Sequence, residues 1–494
     1  MKLPEHVETL IVGAGFAGMG LAARVLRDDP AADVVLIERA ADVGGTWRDN
    51  TYPGCACDVP TALYSYSFAP SADWSHTFAR QPEIYAYLKK VAADTGVGDR
   101  VVLNCELEAA VWDEGMSLWH IQTSQGLLTA KALVAATGAL STPKVPDFPG
   151  LDRFSGTTFH SATWNHEHDL RGERIAVIGT GASAVQFVPE IVEEATHVTV
   201  FQRTPAWVIP RADRSLPSVQ KALYAKVPAA QKAVRGTVYG FREALGAAMS
   251  HATWVLPAFE MVAKAHLRRQ VKDPELRRKL TPDFTIGCKR MLLSNDWLRT
   301  LDRADVSLVD SGLVSVTEDG VVDGHGIERK VDTIIFATGF TPTEPPVAHL
   351  ITGKQGATLA EHWNGSPSAY KGTTVSGFPN LFLMYGPNTN LGHSSIVYML
   401  ESQAEYVNGA LNTMKRERLD ALDVDESAQV HYNKEVQHEL KRTVWNKGGC
   451  SSWYIDAEGR NSVQWPTFTF KFRSLLGNFD RENYSARNIE SVEA

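Results

Sequence analysis

Residues 7 to 38 read VETLIVGAGFAGMGLAARVLRDDPAADVVLIE, and this stretch decides the fold. A short apolar strand leads into Gly13, Gly15 and Gly18, and an Ala/Leu-rich helix and a second strand ending at Glu38 follow. The first glycine permits a tight turn, the second lets a pyrophosphate approach the backbone at the helix N-terminus, and the third lets helix and strand pack closely. Because strand, helix, second strand and terminal acid are all present, the stretch predicts a Rossmann-like dinucleotide-binding unit.

A second copy of this design occupies residues 173 to 204, which read ERIAVIGTGASAVQFVPEIVEEATHVTVFQRT. Its glycine motif again follows an apolar strand and contains two hydroxyls suited to phosphate oxygens; the residues are Gly179, Thr180, Gly181, Ser183 and Ala184. The two motifs begin 166 residues apart, which is too far for one unit. We therefore predict an α/β protein with two Rossmann-like dinucleotide-binding domains.

The ends of the second strands distinguish the two ligands. Glu38 stands 25 residues after Gly13, where a carboxylate accepts hydrogen bonds from ribose hydroxyls and repels an extra phosphate. Arg203 stands 24 residues after Gly179 and is followed by Thr204, and a guanidinium there suits a 2′-phosphate, although a plain surface arginine is the alternative. The pattern predicts FAD or NAD in the first unit and NADPH in the second, with a flavin that takes hydride from NADPH.

Three further segments indicate how the domains divide the chain. LVAATGAL (133–140) and TIIFATGF (333–340) are apolar strands ending in Ala-Thr-Gly, where the chain is expected to cross between domains. FPNLFLMYGPNTNLGHSS (378–395) has a strand and a Gly-Pro-Asn turn, and such a loop can close over an isoalloxazine ring. We predict an FAD-binding domain at 1–145 and 375–494 and an NADP-binding domain at 150–210 and 291–374. A helical insertion is predicted at 211–290.

Composition restricts the class of protein. A chain of 494 residues suggests two or three domains, and its net charge of -8 argues against nucleic acid as the main partner. The N-terminal apolar run leads straight into a glycine motif, which is not the pattern of a signal peptide. The five cysteines form neither a disulfide framework nor a zinc set, so we expect reduced thiols, no metal and a cytoplasmic location.

One apolar segment raises the question of a membrane. Residues 244–259 carry no charge, but 16 residues are too few for a transmembrane span. We expect a buried helical segment there, and an interfacial contact with a membrane or a greasy substrate is the alternative.

Two motifs outside the glycine loops carry a family resemblance. FSGTTFHSATWN (154–165) fits the pattern Phe-x-Gly-x-x-x-His-x-x-x-Trp through Phe154, Gly156, His160 and Trp164. GGTWRDNTYPGCACD (44–58) fits a second pattern through Gly44, Gly45, Trp47, Tyr52, Pro53, Gly54 and Asp58. On these motifs the chain resembles the type I Baeyer–Villiger monooxygenases, which use FAD and NADPH and belong to the flavin-containing monooxygenase superfamily. Asn165 departs from the family, which usually has proline or aspartate there.

The resemblance implies an activity and a catalytic pair. The implied reaction uses O2 and NADPH to insert one oxygen next to a ketone carbonyl through a C4a-peroxyflavin, giving an ester or lactone. In TIGCKRML (285–292), Arg290 is the implied active-site arginine, Asp58 its partner, and Lys289 the contact to the 2′-phosphate of NADP. A guanidinium suits such a site because it is always charged and is not a ready acid. His160 is implied to couple domain movement to cofactor handling, and a packed linker with a buried histidine is the alternative.

Further residues are assigned to cofactor binding by the same resemblance. Thr46, Trp47 and Tyr64 are expected along the flavin, and Phe16 and Gly45 are also assigned to cofactor binding. The backbone of Leu107 is expected near the adenine, Gln186 in the NADP groove, and Trp453 of CSSWY (450–454) on a mobile loop that closes over NADP. Simple core packing is the alternative for each side chain, since aromatic residues are common in cores.

Three other functions stay open on the sequence. A related flavin monooxygenase oxidises sulfur or nitrogen in soft nucleophiles, although Trp164 and the arginine–aspartate pair favour a ketone. A disulfide reductase would need a C-x-x-C or C-x4-C motif, which the sequence lacks, and a non-catalytic flavoprotein is the third option. The many aromatic and aliphatic residues of 211–280 predict a small apolar ketone as substrate, without specifying which ketone or the oligomeric state.

Overall fold

The structure, a computed structural model, describes residues 1–340, 345–456 and 458–488. Its strands are β1 (His6–Val12), β2 (Val34–Glu38), β3 (Val101–Leu103), β4 (Leu107–Asp113), β5 (Leu118–Thr123), β6 (Gly126–Ala135), β7 (Thr157–His160), β8 (Arg174–Ile178), β9 (His197–Phe201), β10 (Val208–Ile209), β11 (Leu292–Leu293), β12 (Val306–Val309), β13 (Leu313–Val316), β14 (Gly320–Asp323), β15 (Glu328–Lys330), β16 (Thr333–Phe336), β17 (Ile351–Thr352), β18 (Leu381–Leu383), β19 (Ala421–Val424) and β20 (Tyr484–Arg487). Its α-helices are α1 (Phe16–Asp28), α2 (Thr46–Asp49), α3 (Gln81–Asp94), α4 (Ala182–Ile191), α5 (Ser218–Lys226), α6 (Pro228–Ser250), α7 (Leu256–Gln270), α8 (Pro274–Lys279), α9 (Trp297–Leu301), α10 (Leu359–Trp363), α11 (Ile396–Glu417), α12 (Glu426–Leu440), α13 (Val444–Lys447) and α14 (Thr469–Leu476).

The first glycine motif lies beside the middle strands of an eight-stranded sheet. The strand order is β17-β4-β5-β6-β1-β2-β3, with β18 also paired to β6, and β1 runs parallel to both of its neighbours. Gly13 has a φ of +107°, and a Cβ there would lie 2.7 Å from the carbonyl oxygen of Ala136, so glycine is required. The turn places the N-terminus of α1 where the carboxyl ends of the parallel strands meet, which is the edge where nucleotides bind.

The second glycine motif repeats this arrangement in a separate parallel sheet. The order there is β12-β9-β8-β16-β7, and Gly179, with a φ of +115°, follows β8 and precedes α4. In both units an Ala-Thr-Gly segment follows the strand next to the glycine strand, since β6 pairs with β1 and β16 pairs with β8. The predicted fold class, α/β with two Rossmann-like units, is confirmed.

The assignment of later segments to the two units is less simple than the sequence suggested. β18 pairs with β6, so the chain after residue 375 returns to the first sheet. β17 pairs with β4 of that same sheet, although the sequence division placed residues 351–352 in the NADP-binding domain. The domain boundaries stay a prediction.

The insertion is formed by α5 to α8, which lie between β10 and β11 in the chain. These two short strands pair with each other in parallel. The uncharged segment 244–259 divides into two parts: most residues of 245–250 are buried, but Trp254 is 80% exposed. The expectation of a buried segment is therefore wrong for its second part, where Trp254, Pro257 and Ala258 are exposed. Leu256 is buried there, and Val255 and Phe259 pack against the core. In the ranges that the structure describes, no helix has the length and apolarity needed to cross a bilayer.

A disulfide joins Cys288 to Cys450 across 162 residues, so the expectation of five reduced thiols is wrong for this pair. Cys55, Cys57 and Cys105 are free and buried. No local spacing links residues so far apart, and only the fold brings the segment before β11 against the chain after α13.

Candidate active site

The two residues expected to be catalytic form one ion pair. The Nε and Nη2 atoms of Arg290 donate to the two carboxylate oxygens of Asp58, both over 2.7 Å, although the residues are 232 positions apart. This fork geometry fixes the guanidinium plane as well as its position. The side chains are 38% and 26% exposed, so the pair lines an open cleft instead of a closed core.

Electrostatics keep both members of the pair charged. The charge of Asp58 raises the pKa of Arg290, and burial opposes this only in part. Burial works against an ionised Asp58, but the charge and hydrogen bonds of Arg290 outweigh it and hold the pKa of this carboxyl below its usual value. The site therefore contains a permanent cation with a fixed orientation.

Sequence reasoning missed a second cation beside the pair. Arg242, on α6, points Nη2 at the backbone oxygen of Asp58 over 3.5 Å, and burial lowers the pKa of Arg242. Arg290 also directs Nη1 at the carbonyl oxygen of Leu391 over 3.4 Å, and Tyr454 interacts with the backbone of Arg290. The one available signal for Arg242 was a charged residue in a helix that is otherwise rich in small and apolar side chains.

Glu38 is held at the end of β2, close to the first glycine turn. Its carboxylate accepts a hydrogen bond from the backbone nitrogen of Ala14 over 3.0 Å and pairs with Arg48 over 3.0 Å. The acid is 6% exposed, so it is positioned beside the turn as the nucleotide fingerprint requires.

The residues expected along the flavin cluster next to this turn. The Nε1 atom of Trp47 donates to the hydroxyl of Tyr64 over 2.9 Å, and the rings of Phe16 and Tyr64 lie 5.2 Å apart. Thr46 starts the short helix α2, and a Cβ at Gly45 would lie 3.3 Å from the Cα atom of Gly15. Leu107 is buried at the start of β4. The two glycine-containing loops thus approach each other closely.

Buried polar atoms in the loop after β18, and one in the segment between α13 and α14, fit a bound cofactor. Asn388 Oδ1, Ser394 Oγ and Ser462 Oγ are buried and have no hydrogen-bond partner among the described residues. Buried polar atoms normally have partners, so atoms of this kind fit a ligand with many donors and acceptors, such as FAD. Leu391, in the loop after β18, contacts Arg290, so this loop reaches the ion pair.

Two cations expected at the NADP phosphate come together from different parts of the chain. Burial, and then the positive charge of Arg203, lower the pKa of Lys289. Like charges held close to each other are unfavourable unless an anion binds between them. Thr204 follows Arg203, and the N-terminus of α4 carries the residues of the second glycine motif, Thr180, Gly181, Ser183 and Ala184.

Gln186, expected in the NADP groove, lies on α4, and its role toward NADP stays a prediction. Its Oε1 atom accepts from the hydroxyl of Tyr52 over 3.1 Å and from the backbone nitrogen of Ala56 over 3.2 Å, and its Nε2 atom donates to the oxygen of Ala56 over 3.0 Å. The amide therefore joins α4 to the segment that leads to Asp58, and its polar atoms are engaged within the protein.

The residues of the Phe-Gly-His-Trp fingerprint pack within the segment that connects the two units. His160 ends β7, accepts from the backbone nitrogen of Ala162 at Nδ1 over 3.0 Å, and has a pKa lowered by burial. Trp164 lies 5.1 Å from Phe159 and 5.2 Å from Phe187, while a Cβ at Gly156 would lie 2.2 Å from a backbone oxygen and also meet Phe154. These contacts are structural; the coupling role of His160 stays a prediction.

Trp453 stands at the rim of the cleft. It is 48% exposed, and its ring lies 4.6 Å from that of Tyr454. A groove connects the first Ala-Thr-Gly segment to this loop, with Thr137, Gly138, Tyr385, Asn390 and Trp453 among its lining residues. The disulfide at Cys450 ties the loop to the residue two positions before Arg290.

Comparison with known proteins decides the family. A family model for pyridine nucleotide-disulphide oxidoreductases matches residues 10–235. A Baeyer–Villiger monooxygenase of Pseudomonas aeruginosa is 47% identical over 482 residues, which cover 97% of this chain and 91% of that protein. The chain belongs to the Baeyer–Villiger monooxygenases.

Solved structures of such enzymes match nearly the whole chain. The cyclohexanone monooxygenase of Rhodococcus sp. Phi1 bound to NADP+ is 27% identical, with a TM-score of 0.86 over 99% of this chain and 100% of that one. OTEMO in complex with FAD and NADP is 26% identical, with a TM-score of 0.86 over 97% and 99%. This Baeyer–Villiger monooxygenase therefore uses FAD and NADPH to convert ketones to esters or lactones, and is not a disulfide reductase.

Coenzyme preference of this monooxygenase provides a first prediction. If Arg203 and Lys289 bind the 2′-phosphate, Arg203→Ala and Lys289→Ala should each remove a charge-assisted hydrogen bond and raise the KM for NADPH by about tenfold to hundredfold. The KM for NADH should hardly change. Steady-state kinetics with both coenzymes test this, with Arg171→Ala, in an exposed pair with Asp169, as control. Equal losses with NADPH and NADH would contradict the assignment.

The disulfide provides a second prediction. Cys450→Ser frees the Trp453 loop from the Arg290 segment, so the free energy of unfolding should fall by about 2–5 kcal/mol and the KM for NADPH should rise. Thermal unfolding with and without dithiothreitol measures the first effect. Cys105→Ser, at a free buried cysteine, should keep the reductant sensitivity of the wild type. A wild-type melting temperature that reductant leaves unchanged would contradict the link.

Proposed function

We propose that this enzyme oxidises small apolar ketones with O2 and NADPH, and that Arg290 and Asp58 carry the ketone step. The bidentate pair in the cleft is the observation that carries the proposal. Arg290 also contacts Leu391, so its guanidinium lies where the loop expected to cover the flavin meets the chain from the insertion.

The chemistry assigns distinct work to the two members of the pair. FAD, when bound, would take two electrons as hydride from NADPH and pass them to O2. Negative charge develops on the ketone oxygen, and a preorganised cation at that point lowers the barrier. Arg290 keeps its proton because its pKa is raised further by Asp58. Asp58 engages Nε and one hydrogen of Nη2, and the carbonyl oxygen of Leu391 takes one hydrogen of Nη1. The second hydrogen on each of these terminal nitrogens is left for the reacting groups.

Arg242 strengthens the positive potential around the pair. It lies on the backbone side of Asp58, while Arg290 occupies the carboxylate, so the acid is placed between two guanidinium groups. One carboxylate does not neutralise two cations, and the net positive charge that remains favours an anionic species in the cleft.

NADPH binding is assigned to the second unit. Arg203, Lys289 and Thr204 would hold the 2′-phosphate, and the hydroxyls of Thr180 and Ser183 would bind the pyrophosphate at the N-terminus of α4. The lowered pKa of Lys289, with burial and Arg203 as its causes, supports two cations at one anion site.

The surroundings of Arg290 favour an apolar substrate. Leu391 belongs to a cluster of buried apolar side chains that includes Leu245 and Met249 from α6 and Phe284 and Met291 from the segment around the arginine. These side chains are buried and form the core behind Arg290. Hydrocarbon of a ketone that leaves water in the cleft would be stabilised by about 25 cal/mol per Å². The net charge of -8 supports the absence of a nucleic-acid partner, and we place the enzyme in the cytoplasm, where NADPH is available.

A panel of ketones and thioethers tests the proposal. Purified holoenzyme with NADPH should turn linear, cyclic or aryl ketones into esters, detected by gas chromatography, faster than it turns matched thioethers into sulfoxides. Sulfoxide without ester would contradict the ketone assignment and favour oxidation of soft nucleophiles.

A further inference from the structure

The exposed face of the turn before α7 and of α7 itself is apolar and continuous. Its members recur at offsets of three and four residues, which places them on one side of the helix. They are Trp254, Pro257, Ala258, Met261, Val262 and Ala265, and we call them the insertion face. Trp254 is 80% and Met261 66% exposed, whereas Leu256 and Ala263 on the opposite side are buried. The packed side of α7 is thus satisfied, and the insertion face has no neighbour in the described structure.

Basic residues border the insertion face, and the acidic residues of this region are buried or paired. Arg268 and Arg269 are exposed at the next positions of the same stripe. Residues 214–272 contain ten lysines and arginines but only two acids, Glu243 and Glu260, in a chain whose net charge is -8. Glu243 is buried and accepts a hydrogen bond from the hydroxyl of Thr469. Glu260 forms an ion pair with Lys264 and accepts a hydrogen bond from the backbone nitrogen of Ile286.

The two helices that precede this turn in the chain have the same character. On α5, Val219 and Leu223 are exposed, and on α6 Phe241 is 69% exposed. Lys226 and Lys232 are exposed between them. No acid is exposed between residues 214 and 272, and the exposed acids Asp273 and Glu275 come after the end of the stripe. Positive charge beside exposed aromatic and aliphatic side chains is typical of a surface that lies on an anionic lipid bilayer.

We propose that the insertion face docks on the surface of an anionic lipid bilayer, with Trp254 and Met261 entering the headgroup region and Arg268 and Arg269 contacting lipid phosphates. Docking at the surface needs no transmembrane span, and α7, with 15 residues, has none. A twofold contact between copies of the chain is less favourable, because it would place the same arginines against each other. The ketone would then reach the enzyme from the lipid, where apolar molecules concentrate.

Vesicle co-sedimentation of the FAD-loaded enzyme tests this. We expect binding to vesicles of equimolar phosphatidylcholine and phosphatidylglycerol, weakened by salt, and no binding to pure phosphatidylcholine. Replacing both arginines, as Arg268→Gln with Arg269→Gln, should weaken binding about thirtyfold. Trp254→Ser with Met261→Ser should abolish it, while Leu127→Ser, at an apolar residue 74% exposed elsewhere, should not change it.

Ketone oxidation in solution should be equal in all these variants, which shows that each is folded. Absence of binding to the anionic vesicles would overturn the proposal, and so would equal binding to both vesicle types. A concentration-dependent dimer in gel filtration that Trp254→Ser converts to monomer would overturn it as well, since the face would then belong to a second copy.

Discussion

Arg290→Ala should lose ester formation by about 10²–10³-fold or more, while the protein still binds FAD and NADPH still reduces it. The expected loss is that of one preorganised electrostatic stabiliser at a developing negative charge. The variant keeps Gly13, Glu38, Arg203 and Lys289, which serve cofactor binding in this account. Flavin absorbance, anaerobic reduction by NADPH and ester yield measure the three properties separately.

Two further variants distinguish a catalytic from a structural effect. Arg290→Lys keeps the charge but loses the bidentate fork to Asp58, so it should recover only a small part of the ester yield. Arg174→Ala, which breaks an exposed bidentate pair with Asp332, should keep full activity. Ester formation by Arg290→Ala at close to the wild-type rate would show that another residue stabilises the charge.

Asp58→Asn should lower both stability and ester yield. Removal of one member of a buried ion pair costs about 3–5 kcal/mol, and because this pair is 38% and 26% exposed, we expect about 1–3 kcal/mol in the free energy of unfolding. The guanidinium also loses its orientation, so the ester formed per NADPH consumed should fall. Urea unfolding at neutral pH, together with this ratio, measures both effects. An unchanged ratio would mean that Asp58 has no part in positioning Arg290.

The pH dependence of this stability follows from the lowered pKa of Asp58. A carboxyl whose pKa is lower in the folded state stabilises the fold above its unfolded pKa, about 3.9, and this contribution is lost as the pH falls through the folded value. The difference in unfolding free energy between wild type and Asp58→Asn should therefore be constant near neutral pH and shrink in acid. A difference that grows as the pH falls would contradict the charge assignment.

Local patterns predicted the fold, and distant contacts limited the prediction of the site. The motifs around Gly13 and Gly179 are each complete within about 30 residues. Strand, turn and helix could therefore be recognised from the sequence alone. The contact between Arg290 and Asp58 spans 232 residues, and only a family resemblance indicated it. Arg242 had no motif at all, because its role depends on where α6 meets the backbone of Asp58.

Burial was the hardest property to predict. The uncharged segment containing Trp254 suggested a core helix, but the turn before α7 rotates that side chain toward solvent. The disulfide between Cys288 and Cys450 could not be predicted either, because the spacing of cysteines in sequence does not show which remote segments the fold brings together.

A crystal structure of the enzyme with FAD and NADP would show whether Arg290 lies at the flavin. The proposed mechanism predicts the Arg290 guanidinium within hydrogen-bonding or van der Waals distance of the isoalloxazine edge, about 3–4 Å, and still paired with Asp58. It also predicts Lys289 and Arg203 at the 2′-phosphate. An isoalloxazine bound away from Arg290, with no space beside that side chain for a ketone, would contradict the mechanism.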